Sequence, residues 1–240
     1  LPYIQMVMLI DDNIYTLPIE KIKEFCQMYK ERVGLPMSFS GFPKDITEEK
    51  LSYFVDAGLV VTHMGIQTGS ERTQKLYKRH VSDETILKAV QALHKFKDSL
   101  AASCYDVIID NPYETNEDFI DTIKLLLKFP KPRHIKLFSL TFLPGTELYE
   151  KAKLDGILPE EDEFSGYRKH FLSFYYRKKK YLNFVFPLLN QNIPNFLIKI
   201  LINKYVVFLM DRPLINEFLF KTMTFLRGLR QKIRRKKVNI

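Results

Sequence analysis

The sequence predicts an α/β fold in which parallel strands alternate with helices, followed by a basic helical extension. Short apolar runs begin at intervals of about 25–40 residues, the length of one strand–helix–strand unit, with amphipathic runs between them. The apolar runs are nearly continuous, which is typical of strands covered by helices on a parallel sheet. Periodicity alone leaves two arrangements open, an open doubly wound sheet and part of a β/α barrel.

The individual elements follow from local signals. Buried strands are predicted where short runs are rich in β-branched or aromatic residues. These runs are Ile4–Ile10, Leu35–Phe39, Leu59–Ile66, Ala101–Ile109 and His134–Leu143. Helix starts are predicted at Thr47, Ser82 and Thr115, the last of which opens a capping-box pattern. Gly34 and Gly58 stand where two of the helices should end.

The chain divides into two predicted domains, residues 1–158 and residues 159–240, because the strand–helix pattern changes after Pro159, and the charge changes a few residues later. The net charge of the whole chain is +9, but residues 167–240 hold 17 of the 37 lysines and arginines and 2 of the 28 acidic residues. Such asymmetry indicates two regions with different partners. The second region is therefore predicted to be a basic helical extension.

Three interpretations of this extension remain open. It could be a helical cap with a disordered basic end, an attachment to an anionic membrane surface, or a nucleic-acid-binding segment. Apolar residues 218–220 beside the basic stretch 227–237 favour the membrane surface, whereas no recognised nucleic-acid module is visible. No apolar run reaches the ~20 residues of a membrane span.

The two cysteines, Cys26 and Cys104, are too few for a disulfide framework and are typical of a reducing compartment. We therefore expect a cytoplasmic protein, peripheral at the inner membrane surface if the extension binds lipid. Both cysteines are expected to be buried and inert.

Polar and turn residues follow the predicted strands, where parallel α/β folds bind their ligands. The strand ends carry Asp11-Asp12, Gln67-Thr68-Gly69-Ser70, Asp110-Asn111-Pro112 and Thr141-Phe142-Leu143-Pro144-Gly145. The same residues also fit plainer roles. The Asp11-Asp12 pair would suit a helix cap, Gln67–Ser70 a turn, Arg79 a solvated surface and Asp106 a structural hydrogen bond.

Three segments, in this order and spacing, resemble the signatures of the radical S-adenosylmethionine (SAM) enzymes. They are GIQTGSER at residues 65–72, YDVIIDNPYET at residues 105–115 and LPGTELY at residues 143–149. The resemblance covers roughly residues 4–155 and implies a partial, TIM-like β/α barrel. It also implies that the intact protein cleaves SAM at a [4Fe–4S] cluster to a 5′-deoxyadenosyl radical, which abstracts hydrogen from a substrate.

The resemblance implies how the amino-acid end of SAM is bound. Asp11 or Asp12 stands where the family receives the SAM amino group, and a carboxylate there would accept charge-assisted hydrogen bonds. Arg79 matches a position whose guanidinium binds the SAM carboxylate. The Asp-Asp pair is also similar to the subgroup with an upstream cobalamin-binding domain, so cobalamin-dependent methyl transfer is one expected reaction.

The resemblance also implies which residues contact the nucleoside end of SAM. Gln67 matches a contact to the ribose and methionyl part, and Asp106 a contact to the ribose hydroxyls. Thr141 and Phe142 fall where the family's sixth strand passes the adenine. Ser40 stands where some members carry an acid.

The resemblance further implies a loop with three cysteines, Cys-x3-Cys-x2-Cys, that holds the cluster. These 240 residues contain no such loop, and Leu1 begins directly in a predicted strand. We therefore expect the cluster ligands upstream of Leu1, no metal ligand within this chain, and no radical chemistry from these residues alone. No catalytic residue is predicted.

Two other functions remain open from the sequence. One is a different β/α enzyme, such as a metal- or phosphate-dependent lyase, although no glycine-rich phosphate loop or histidine cluster is present. The other is a non-catalytic, degenerate barrel that binds a membrane surface or a partner. For an enzyme of the radical class we expect a small-molecule or lipid-like substrate.

Overall fold

Five parallel strands form a half-barrel in the computed structural model, which describes residues 3–158 and 180–222. The strands are β1 (Val7–Met8), β2 (Met37–Gly41), β3 (Leu59–Gln67), β4 (Ala102–Ile109) and β5 (His134–Ser139). Their order in the sheet is their order in the chain, and every neighbouring pair is parallel. The predicted α/β class and the partial barrel are both confirmed.

Helices connect each strand to the next, and a further helix follows β5. They are α1 (Ile19–Arg32), α2 (Glu48–Asp56), α3 (Glu71–Leu76), α4 (Asp83–Lys95), α5 (Asn116–Leu127) and α6 (Glu147–Leu154). Strands β3 and β4 are joined by two helices, α3 and α4. The side chains of Thr47, Ser82 and Thr115 cap α2, α4 and α5 as predicted.

The chain forms two compact units, Leu1–Phe174 and Tyr175–Ile240. The described part of the second unit is helical and contains α7 (Tyr181–Val185), α8 (Asn195–Leu201) and α9 (Lys204–Met210), with further helical residues at 213–222. The proposed boundary at residues 158 and 159 stays a prediction, because residues 159–179 lie outside the described part. The basic cluster at residues 230–237 also lies outside it.

The first apolar run differs from its prediction as a buried strand. Only Val7–Met8 pairs as a strand, through amide bonds from Val7 to Pro36 and from Leu9 to Ser38. Met8 and Ile10 are 68% and 89% exposed. The physical reason is position: β1 is an edge strand of the described sheet, so pairing with β2 on one side covers only part of it.

Aromatic packing fixes the helical side of β2. The rings of Tyr15, Phe39 and Phe54 meet in edge-on contacts with centroids 4.8–5.3 Å apart. Phe39 belongs to β2 and Phe54 to α2, so this cluster attaches the helix to the strand. Since side chains alternate along a strand, Ser40 is directed to the opposite face of the sheet.

A buried carboxylate, Asp118 in α5, joins the turn after β3 to the start of α5. It accepts hydrogen bonds from the hydroxyl of Ser70, the guanidinium of Arg72, and the amide and hydroxyl of Thr115. Ser70 in turn caps α3 by accepting the Thr73 amide. One side chain therefore fixes the starts of two helices that follow neighbouring strands.

Close backbone approach completes this junction at Gly69. A Cβ at this position would lie 2.8 Å from the Cα of Thr122 and 3.1 Å from the Cβ of Leu125, both in α5. The Gly69 amide donates to the Thr122 hydroxyl at 2.8 Å. Only glycine allows the turn to lie this close to the helix.

Replacing Asp118 by Asn should lower the free energy of unfolding by about 2–3 kcal/mol at neutral pH, because the buried network loses its charged acceptor. Burial alone would raise the pKa of the Asp118 carboxyl, but the hydrogen bonds from Arg72, Ser70 and Thr115 outweigh it and lower that pKa well below its usual range. The stabilisation is therefore complete above the unfolded-state pKa of about 4 and is lost as the pH falls below it.

Urea unfolding at a series of pH values measures this effect. The difference between wild type and Asp118→Asn should shrink as the pH falls from about 6 to about 3. Asp121→Asn is the matched control, because Asp121 lies on the same helix with its side chain 53% exposed. A difference that stays constant with pH would exclude the charged network as the source of stability.

Candidate functional site

The inner face of the half-barrel, defined as the side of the sheet opposite the helices, carries the candidate site. Along β3 the residues Thr62, Met64 and Ile66 are buried on the helical side. His63, Gly65 and Gln67 alternate with them and are only partly covered. Parallel pairing places Asp106 of β4 beside Gly65.

Gly65 makes room for two predicted SAM-binding residues. A Cβ at Gly65 would lie 2.8 Å from Nε2 of Gln67 and 3.5 Å from Nη2 of Arg79. Nη2 of Arg79 donates to the carbonyl of Gly65 at 2.9 Å. Gln67 and Arg79 are twelve residues apart in sequence, and the structure brings both onto the same glycine.

The backbone is distorted where Gln67 ends β3. Gln67 has a φ of 64°, and the pairing of β3 with β4 shifts register between Gly65 and Gln67. Asp110, directly after β4, has a φ of 62°. Left-handed non-glycine residues cost about 1–3 kcal/mol and cluster at ligand sites. Gln67 and Asp110 are two such residues at the ends of neighbouring strands, and they indicate a candidate ligand site at this edge of the sheet.

Arg79 is held in place by its neighbours. Its guanidinium lies 4.1 Å from the ring centroid of Phe42, which follows β2. Burial lowers the pKa of Arg79 to about 10, so the group remains charged at neutral pH. Within residues 3–158 and 180–222 no carboxylate pairs with it. A half-buried cation with this surrounding is suited to an anionic ligand.

Asp106 already has a partner on the inner face. Both of its carboxylate oxygens lie 3.2 Å from Nδ1 of His63, and Nε2 of His63 lies 3.2 Å from Nζ of Lys136 in β5. A carboxylate accepts hydrogen bonds and an ammonium donates them. This series of contacts is therefore satisfied when His63 donates from Nδ1 to Asp106 and accepts at Nε2 from Lys136. The predicted contact of Asp106 with ribose hydroxyls stays a prediction, and it would share the carboxylate with His63.

His63, Asp106 and Lys136 form a row of polar side chains across β3, β4 and β5, which we call the inner row. From the sequence, His63 and Lys136 were not expected to contact Asp106. The strand assignment of His63 was right, but its side chain was not connected to Asp106. Strand alternation was the available signal, since His63, Asp106 and Lys136 all fall on inward positions. The register that brings them together is set by the sheet and not by local sequence.

Thr141 and Phe142 line a cavity of about 500 Å³. Tyr77 and Lys78 lie on its wall, and so do Glu147 and Leu148 of α6. Arg79 instead lines another cavity, of about 420 Å³, whose wall also holds Lys75, His80 and the acids Glu71 and Asp83. Glu71 pairs with Lys75 and Asp83 with Lys128, and neither pairs with Arg79. The structure therefore places Thr141 and Phe142 near the end of α3, but on a different cavity from Arg79.

Asp11 and Asp12 are exposed, and they do not cap a helix. The 3₁₀ turn Ile14–Thr16 has Asn13 at its N-cap position, and Pro18 precedes α1. Asn13, which the sequence analysis did not select, donates to Asp45 at 2.7 Å and accepts the amide of Phe42 at 3.2 Å. The structure shows no contact between the aspartate pair and Arg79 or Gln67.

The cysteines do not fit an iron–sulfur cluster. Cys26 lies in α1 and Cys104 in β4, and each is 4% exposed. Burial raises the pKa of Cys26 to about 11 and also raises that of Cys104, so both favour the neutral thiol, whereas clusters are held by thiolates. Within the described ranges no group of three metal-ligating side chains occurs.

Comparison with known proteins identifies the class. The model of the radical SAM superfamily matches residues 5–126, which is half of the chain, and the chain belongs to this superfamily. Members of the family use SAM and a [4Fe–4S] cluster. The matched residues include β1 through most of α5, and therefore the Gly65 site and the Asp118 junction.

Individual relatives agree with this assignment. A tRNA-2-methylthio-N(6)-dimethylallyladenosine synthase of Aquifex aeolicus is 32% identical over 126 residues, which are 51% of this chain and 27% of that enzyme. An uncharacterized protein of Methanocaldococcus jannaschii is 30% identical over 145 residues, 58% of this chain and 43% of that protein. The chain thus spans about a quarter of the length of the Aquifex enzyme and under half of the other protein.

The fold has a counterpart among solved structures. Coproporphyrinogen III oxidase from Escherichia coli, a radical SAM enzyme, superimposes with a TM-score of 0.53 at 18% identity, covering 71% of this chain and 40% of that one. At this identity the likeness concerns the fold alone.

Substitutions of Lys136 and Asp106 should shift the pKa of the Cys104 thiol in opposite directions. Burial is the main cause that raises its pKa; Lys136 lowers it and Asp106 raises it. Lys136→Met should therefore raise the thiol pKa, whereas Asp106→Asn should lower it. Because Cys104 is buried and a reagent would reach it only after local opening, its ionisation is followed in the folded chain by the pH dependence of the Cβ resonance of isotopically labelled cysteine in a Cys26→Ser background.

Lys151→Met serves as the control, because Lys151 lies in α6 and pairs with Asp155. Equal pKa values of the Cys104 thiol in the Lys136 and Asp106 variants would show that these side chains do not act on Cys104 in solution.

Proposed function

We propose that residues 3–158 bind SAM at the strand ends around Gly65, with the carboxylate of SAM on Arg79. The observation that carries this proposal is the surroundings of the Arg79 side chain. This side chain is half-buried, stacked on Phe42 and anchored to the Gly65 carbonyl, and the described residues supply no acid to neutralise it. A planar guanidinium in this setting recognises a carboxylate through paired hydrogen bonds.

The remaining parts of SAM are assigned to the other candidate residues. Gln67 contacts the ribose and methionyl part, since its amide lies beside the Arg79 guanidinium over Gly65. Asp11 or Asp12 receives the amino group, and Asp106 a ribose hydroxyl. Thr141 and Phe142 border the adenine, which their cavity of about 500 Å³ could hold.

The cluster ligands are proposed to lie outside these 240 residues. Reductive cleavage of SAM is the chemistry that the cluster supplies in this family, and it needs three cysteines, whereas this chain has two, both buried. We infer that the chain by itself binds SAM but does not cleave it. The intact protein would be a radical SAM enzyme.

The substrate class is proposed only in outline. The name of the Aquifex relative refers to tRNA modification, but the similarity covers 27% of that enzyme, which supports a shared cofactor and not a shared substrate. A small-molecule or lipid-like substrate stays our expectation. Cobalamin-dependent methyl transfer likewise stays a prediction that rests on the Asp11-Asp12 pair, and the sequence upstream of Leu1 in the intact protein would test it.

Family membership favours the radical SAM function over a metal- or phosphate-dependent lyase. A degenerate, non-catalytic barrel differs from the proposal in one measurable respect, because it need not bind SAM. Binding of SAM by the chain therefore separates these two alternatives.

Arg79→Gln should weaken SAM binding at least about tenfold in titration calorimetry, because a charge-assisted contact is lost. Arg79→Lys should restore only part of the affinity, since an ammonium cannot form the same paired contact. Lys88→Gln is the matched control: Lys88 lies on the exposed side of α4, pairs with Glu84 and lines neither cavity. Wild-type affinity in Arg79→Gln would refute the assignment of the carboxylate.

Anaerobic reconstitution with iron and sulfide should give well below four iron atoms per chain. No 5′-deoxyadenosine should form from SAM with a strong reductant, since the described thiols are buried and on different elements. Iron analysis and chromatography of the products measure the two results. A stable [4Fe–4S] cluster on Cys26 or Cys104, lost in the Cys→Ser variants, would contradict the proposed location of the ligands.

A further inference from the structure

The described part of the second unit exposes large apolar side chains and buries polar ones. Its exposed apolar residues, each 41–86% accessible, are Phe196, Leu197, Ile200, Tyr205, Phe208, Leu209, Leu214 and Phe218. Asn183 and Asn216 are 0% and 6% exposed. The same unit buries an apolar core that includes Leu182, Phe184 and Phe186, so the exposed residues are additional to that core. A set of large apolar side chains left exposed in this way marks a surface that contacts an apolar phase or a partner.

The exposed residues have helical spacing. In α9, Tyr205, Phe208 and Leu209 are separated by three and four positions and share one face, whereas Val207 on the other side is 2% exposed. In α8, Phe196 and Ile200 are likewise four apart, and Ile198 is buried. Each of these helices is thus amphipathic with its aromatic face outward.

Cations accompany the exposed aromatic rings. The guanidinium of Arg212 lies 4.7 Å from the ring centroid of Phe208, and Nζ of Lys204 lies 5.0 Å from that of Tyr205. Such pairs place an apolar body beside a charged head, the arrangement of residues that sit at a lipid–water boundary. The surface is therefore both apolar and positively charged.

The sequence around this surface has the same sign of charge. Residues 167–240 contain 17 lysines and arginines against two acidic residues, Asp211 and Glu217. No helix in the described ranges is long and apolar enough to cross a bilayer. Helices α8 and α9 have seven residues each, or roughly 10 Å of rise, and so could lie only in the plane of an interface.

We propose that residues 180–222 bind the surface of an anionic membrane, with the aromatic faces of α8 and α9 and the exposed apolar residues of 213–222 among the headgroups. The choice of membrane over a protein partner rests on charge complementarity, because the excess of cations matches a continuous anionic surface. The proposal does not depend on SAM binding by the first unit.

Vesicle flotation with the full 240-residue chain tests this surface. The chain should float with vesicles of phosphatidylcholine and about 30% phosphatidylglycerol, and at least about tenfold less with pure phosphatidylcholine. About 0.5 M NaCl should weaken the binding without abolishing it, since part of it is apolar.

Two triple variants distinguish binding through this apolar surface from non-specific binding through any exposed apolar residue. The triple variant Phe196→Ser, Phe208→Ser and Phe218→Ser changes residues that are 61–67% exposed, so folding, checked by circular dichroism, should be retained. It should lose at least about tenfold in vesicle binding. The control triple variant changes Tyr3, Ile10 and Leu154 to Ser, which are 76–89% exposed in the first unit, and should float like wild type.

Three results would overturn the proposal. The first is a wild-type chain that does not float, and the second is equal flotation of the two triple variants. The third is binding to a labelled RNA, or self-association in sedimentation, that the first triple variant abolishes while vesicles are not bound. In that third case the surface would belong to RNA or to a second copy of the chain.

Discussion

The Asp118 carboxylate is the interaction on which the arrangement of the strand ends depends. It holds the turn after β3 and the start of α5 together through Ser70, Arg72 and Thr115. The candidate ligand residues Gln67 and Arg79 lie on either side of that turn. If the junction loosened, the glutamine amide and the guanidinium would no longer meet over Gly65.

This junction gives two of the three sequence signatures a structural meaning. Residues 65–72 contribute Gly69, Ser70 and Arg72, and the segment that ends at Thr115 contributes the helix cap. Much of what makes these segments characteristic is thus used to close two turns against each other. The residues that remain for a ligand are few, chiefly Gln67 and the more distant Arg79.

The inner face separates its charges. Asp106, His63 and Lys136 satisfy one another along a row across three strands. Arg79, placed near the strand ends, has an aromatic ring and a carbonyl oxygen instead of an acid. A ligand carboxylate at the strand ends would therefore meet a guanidinium that no described acid pairs with.

The sequence predicted what is set locally. The caps at Thr47, Ser82 and Thr115 depend on neighbouring residues, and the strand–helix alternation depends on apolar period, so both were right. Gln67 and Arg79 were selected as candidates through family resemblance, and their role in binding SAM stays a prediction. The row of Asp106, His63 and Lys136 depends on strand register, and the exposure of Met8 depends on the edge position of β1. Both properties are set by the assembled sheet, so a short segment of sequence does not predict them.

The strand order has a consequence for how such a protein can change. Because each strand pairs with its neighbours in sequence, every contact in the sheet closes a loop of one strand–helix unit. Strands could be gained or lost at an edge without rewiring the neighbours of β3 and β4. Half-barrels of different extent can in this way retain the turn after β3 while the rest of the chain diverges.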